Sequence, residues 1–68
     1  MSLEKRNRSG YTPIFIAVIN GNSELVKLLI EKGSYLAALD YNNKNILHYA
    51  LEGTSTEIIM HLLIYPQL

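Results

Sequence analysis

The chain has 68 residues, six Lys or Arg against six Asp or Glu, no Cys, and a formal net charge of zero. That balance lacks the basic footprint by which a general nucleic-acid binder reaches phosphates, and the missing cysteines exclude disulfides and a thiolate metal cluster. No apolar run approaches the roughly 20 residues that cross a bilayer, so the expectation is one small intracellular, cytoplasmic unit with neither membrane nor nucleic acid as partner.

In chain order, Lys5, Arg6 and Arg8 form a short basic cluster at the terminus, and residues 1–6 read as a solvated tail. The run Pro13 to Ile19 is too short for a secretory core, has no small-residue cleavage site after it, and reads as a buried helix. Thr12 is placed to cap that inner helix through its hydroxyl, with Pro13 at the first helical position, where its missing amide hydrogen costs nothing. Asn20-Gly21 should end it. An outer helix then starts near Asn22-Ser23, with Glu24 favourable at the positive end of the dipole. Leu25, Leu28 and Leu29 share one face with Val26 and Ile30 beside it, while Lys27, Glu31 and Lys32 point to solvent. Gly33 supplies the left-handed stop.

Ser34 to Lys44 forms the long turn between helix pairs, with Asp40-Tyr41-Asn42-Asn43 near its tip. Beyond it the chain repeats itself at a constant offset of 33 residues: Ala17 falls on Ala50, Glu24 on Glu57, Leu29 on Leu62, and apolar replaces apolar between. Asn43 takes the place of Gly10 and tolerates positive φ, and Asn45 replaces Thr12 as cap. Ile46 lacks the preset angle of Pro13, so the second copy is expected to be the weaker one.

Gly10-Tyr11-Thr12-Pro13-Ile14-Phe15-Ile16-Ala17 and Leu47-His48-Tyr49-Ala50, at that period, resemble the ankyrin repeat and its T-P-L-H-x-A signature. The resemblance runs from about Asn7 to Leu68. It implies an all-α helix-turn-helix repeat stack with long inter-repeat turns: repeat 1 over 7–39 and repeat 2 over 40–68, the latter ending without a polar cap. It also implies a non-catalytic scaffold that binds another protein through the turn tips and the groove side of the inner helices. Carried over by position, the candidates are Arg8, Ser9, Tyr11, Ile19 and Asn20, then Leu39, Tyr41, Asn42, Lys44 and Glu52. The family's histidine position is held by His48, where the imidazole is expected to tie neighbouring turns together; Phe15 occupies it in repeat 1. His61 stands where repeat 1 has Leu28.

No catalytic constellation accompanies these residues. The carboxylates Glu4, Glu24, Glu31, Asp40, Glu52 and Glu57 belong to the tail, helix starts and turns, and His48 with Glu52 suits a local ion pair. No cofactor or metal site is expected. The departure from the family lies in the second outer helix, where Met60, Ile64 and Tyr65 replace Lys27, Glu31 and Lys32. An apolar surface there wants cover, by a second copy or by further repeats. Two repeats fall short of the about three that usually make a stable stack, so a marginal, self-associating chain or a regulatory segment of a larger multidomain protein is the alternative.

Overall fold

The computed structural model describes residues 3–53 and 56–64. Four helices carry the fold: α1 (Pro13–Ile19), α2 (Ser23–Glu31), α3 (Ile46–Glu52) and α4 (Thr56–Leu63), with no strand among the described residues. α1 packs on α2 and α3 on α4 within the repeats; α1 on α3 and α2 on α4 join one repeat to the next. This is the expected stack of helix pairs. One core runs through both repeats, from Ile14, Phe15, Val18, Val26 and Leu29 to Ile46, Ala50, Ile58 and Leu62.

The outer helix α2 starts where expected, with the Asn22 side chain accepting from the Leu25 amide at 3.2 Å. Its buried stripe differs from the expected one. Val26 and Leu29 are enclosed, whereas Leu25 and Leu28 are exposed. The reason lies in the stack: Ile58, the repeat-2 counterpart of Leu25, is covered by repeat 1, and among the described residues no helix stands on the other side of repeat 1 to cover Leu25. Gly33 follows the α2 cap at φ 91°, the left-handed residue required there.

Of the two expected inner-helix caps, the one on α3 forms and the one on α1 does not. Thr12 occupies the cap position of α1 but its hydroxyl makes no capping bond, and Oγ1 is buried without a hydrogen-bond partner. In α3 the cap is reciprocal: Asn45 Oδ1 accepts from the His48 amide at 3.1 Å, and His48 Nδ1 faces the Asn45 amide at 3.1 Å. His48 therefore fastens its own helix instead of linking neighbouring turns. Phe15, in the same place in repeat 1, cannot return such a bond and fills the core instead, which leaves Thr12 alone. Repeat 2, expected to be weaker, has the better-capped inner helix.

Gly10 and Asn43 hold positive φ at equivalent places, 83° and 62°. Gly10 carries a second constraint, because a Cβ added there would stand 2.6 Å from the Tyr41 ring and 2.8 Å from the Tyr41 backbone nitrogen. Gly21, at φ 71°, meets nothing.

Gly10→Ala is therefore expected to cost more than the ~1–2 kcal/mol of left-handed strain alone, and Gly21→Ala no more than that figure. Thermal unfolding of the two variants measures the gap, at about 4–8 °C per kcal/mol for a domain this size. The caps give a second contrast. Asn45→Ala should lower stability by about 1 kcal/mol, while Thr12→Val, which removes a buried unpartnered hydroxyl at nearly constant shape, should leave the melting point unchanged or raise it.

Candidate functional site

The turn at the head of each inner helix is built twice by the same device. In repeat 1, Asn7 Oδ1 accepts from the amides of Ser9 at 2.9 Å and Tyr11 at 3.0 Å. In repeat 2, Asp40 Oδ1 accepts from the amides of Asn42 at 2.8 Å and Lys44 at 2.9 Å. The backbone closes both turns the same way, with Asn7 N–H donating to Tyr11 O at 3.0 Å and Asp40 N–H to Lys44 O at 2.9 Å. A short polar side chain folding its own turn is a common use of Asn and Asp.

The two turns are then tied to each other. The Tyr41 amide donates to Ser9 O at 3.3 Å, and Arg6 Nη1 donates to Gly10 O at 2.7 Å and to Leu39 O at 2.6 Å. Arg6, read as part of a solvated tail, thus ties the first turn to the start of the second. Glu4 acts similarly, its Oε2 accepting the Tyr35 amide at 3.0 Å, while Leu3 packs on the core. Of these contacts the offset of 33 carries a signal for Leu3 alone, which falls on Leu36, an enclosed core residue.

This frame gathers Arg8, Ser9, Leu39, Tyr41 and Asn42 at one end of α1, with all five exposed. Ile19 and Asn20 lie at the other end, about 10 Å further along the helix axis. There, with Val18, Gly21, Ala50, Gly53 and Ile58, they line a cleft of about 200 Å³ between the repeats. Tyr11 and Lys44 are only half exposed. The Tyr11 ring stacks on Phe15 with centroids 5.7 Å apart, meets Tyr49 edge-on at 5.7 Å, and its hydroxyl lies 3.4 Å from that of Tyr49. Lys44 Nζ sits 5.7 Å from the Tyr49 ring centroid and 3.9 Å from Glu52 Oε1. Glu52 thus pairs with Lys44, not with His48 as expected.

On the outer helices, Lys27 Nζ meets Glu57 Oε1 at 3.0 Å across the repeats, and His61 Nε2 lies 3.8 Å from the same oxygen. Met60 and Ile64 are strongly exposed; Tyr65 lies outside the described residues. Among the described residues, no group of three His, Cys, Asp or Glu is placed to hold a metal ion. No helix among them is long and apolar enough to cross a membrane.

Asp40 is the residue whose importance the sequence concealed. It is enclosed, and besides the two turn amides its Oδ2 accepts a hydrogen bond from the Tyr49 hydroxyl. Burial pushes its carboxyl up, but the Tyr49 bond, the amides of Lys44 and Asn42 and the Lys44 charge outweigh it and hold the group below its ordinary 3.8. The hydrogen bond to Asp40, then that to Tyr11 and burial, push the Tyr49 phenol well above its usual 10.0. Hydrogen bonding and charge from Lys27 hold Glu57 below 4.5, against a smaller opposing effect of burial.

A family model described as ankyrin repeats in three copies matches residues 2–67. The chain is 35% identical over 66 residues to the B-cell lymphoma 3 protein homolog of Mus musculus, covering 96% of this chain and 15% of that protein. It is 33% identical over 63 residues to an ankyrin repeat protein of Rickettsia bellii, covering 93% and 9%. It is 35% identical over 54 residues to the Notch-regulated ankyrin repeat-containing protein of Xenopus tropicalis, covering 79% and 47%. The chain therefore spans less than half the length of each of these relatives.

The carboxyls of Asp40 and Glu57 are lowered on folding, so the stability they contribute is present above their ordinary values of 3.8 and 4.5 and is lost as pH falls through and below them. Tyr49→Phe is expected to cost about 1.5–3 kcal/mol at neutral pH, the range for a hydrogen bond to a charged group. The gap from the native chain should narrow as Asp40 is protonated, which thermal melts at neutral and acidic pH measure; a gap that stays constant with pH contradicts the assignment.

Proposed function

The chain belongs to the ankyrin repeat family, and on that premise we propose that it is a non-catalytic module that binds another protein through its turn tips and the groove side of its inner helices. Ankyrin repeats are a protein–protein interaction module. The finer reading is supported most by one observation: the tip backbone is pinned from below while the tip side chains are left free. Asp40, Arg6 and Gly10 hold the two turns in a fixed spacing, and Tyr41, 67% exposed, stands on Gly10. A large, stiff, amphipathic side chain on a pre-ordered support gives contact area with little conformational freedom left to lose on binding.

Arg8, Leu39 and Asn42 supply charge, apolar contact and hydrogen bonds around Tyr41. The Ile19 cleft between the repeats offers a second anchor, of a size for one apolar side chain of the partner. Tyr11 takes a different part in this reading. Its half-buried ring is engaged with Phe15 and Tyr49, so it supports the tips from within. Lys44 and Glu52, a loose ion pair, form a polar rim.

The test is affinity capture with quantitative mass spectrometry, comparing the native chain, a variant with Arg8, Ile19 and Tyr41 all replaced by Ala, and Lys32→Ala on the outer face. A partner recovered by the native chain and Lys32→Ala should fall at least tenfold with the triple variant, whose helical circular dichroism should persist. Equal recovery by all three sinks the tip-and-groove reading.

A further inference from the structure

The offset of 33 residues relates the repeats in packing as well as in sequence. Each residue that one repeat buries in the seam therefore marks, on the far side of the other repeat, the place where a further repeat would bury its counterpart. Val18 lies in the seam at 5% exposure, and its counterpart Leu51 is 63% exposed. Ile30 is half-buried and its counterpart Leu63 is 65% exposed. The opposite end behaves in the mirror sense: Ile58, at 1%, corresponds to Leu25 at 36%, and half-buried Tyr49 and His61 correspond to exposed Ile16 and Leu28. One chain thus carries both halves of the interface that already joins its own repeats.

We propose that the chain stacks head to tail on a second copy of itself, the Leu51 and Leu63 face of one copy covering the Ile16, Leu25 and Leu28 face of the next, in the register of the internal seam. All five side chains are apolar, so each face gains by leaving water. A zero net charge leaves no long-range repulsion between copies. The two faces are different surfaces, so the contact is heterologous and does not close on itself; copies add in a line.

The internal seam also contains an ion pair, Lys27 to Glu57 at 3.0 Å, whose counterparts between copies are Met60 and Glu24. The acid is present and the cation is missing. Met60→Lys supplies it, and an exposed pair of this kind tightens the contact by about twofold to fivefold. This outcome separates the proposed register from any association in which Met60 itself is the buried contact, because there the same substitution weakens binding.

Sedimentation velocity over a concentration series tests the proposal. The native chain should give species that grow past the dimer, and Met60→Lys should shift that growth to lower concentration; adding Glu24→Lys to Met60→Lys should reverse the shift. Leu51→Glu with Leu63→Glu, and separately Ile16→Glu with Leu28→Glu, should each be monomeric with native helicity by circular dichroism. Mixed in equal amounts, they should form a dimer and nothing larger, since each retains one intact face. A native chain that stays monomeric throughout, a closed dimer that never extends, a mixture that stays monomeric, or weaker association of Met60→Lys overturns the proposal. The Met60→Lys readout is a gain of association, so it holds even if a glutamate variant fails to fold. Turn-tip variants should leave the assembly unchanged, which separates this proposal from the partner-binding reading.

Discussion

Everything in this structure depends on the seam between the two helix pairs, because neither pair can enclose its own apolar residues. Phe15 is a clear case: it sits where a polar cap partner stands in repeat 2, and it is enclosed with the Tyr49 ring of repeat 2 against it and α1 packed on α3. Ile58 and Ala50 from one side and Val18 from the other meet across the same boundary. In a stack of this kind the energy resides in intrinsic repeat terms plus nearest-neighbour terms, and between the two described helix pairs there is one such neighbour term. Loss of that seam leaves two short helix pairs with open apolar faces.

The polar structure above the seam follows from it. Packing α1 on α3 brings the two turns side by side, and only then can Arg6 reach Leu39 and Tyr41 reach Ser9. Asp40 would be costly to enclose as a charged group without partners, yet it is satisfied by its own turn amides and by Tyr49, a residue of the next helix. The carboxylate, the phenol and the aromatic trio beneath them join the tip to the core. A turn tip pinned in this way keeps its spacing without help from a partner, as the proposed recognition surface requires.

Much of the fold was legible in the sequence because the repeat is local and periodic. The offset gave four helices, the cap residues Asn22 and Asn45 gave two helix starts, and Gly33 and Asn43 marked left-handed positions that the backbone adopts. What was not legible depended on neighbours. The spacing of Leu25 and Leu28 names a helix face but not whether another helix stands against it, and among the described residues none covers them. Thr12 has the right chemistry for a cap, but the reciprocal partner is a phenylalanine. Arg6 and Glu4 looked like tail residues because their partners lie 33 and 31 residues away. Of the candidate site, the exposure of Arg8, Ile19, Tyr41 and Asn42 could be anticipated from position in the repeat, whereas the inward engagement of Tyr11 and the burial of Asp40 required the packed aromatic cluster.

The central claim is that the repeats stand or fall together through one seam, and native-state hydrogen exchange tests it most directly. The amides of Asn42 and Lys44, bonded to Asp40 in repeat 2, and those of Asn20 and Val26, bonded within repeat 1, should open with one common free energy. Trimming Phe15 to Leu in the seam should lower that free energy equally for both sets. If the repeat 1 amides lose protection while those of repeat 2 keep theirs, the repeats are independent units and the account is contradicted.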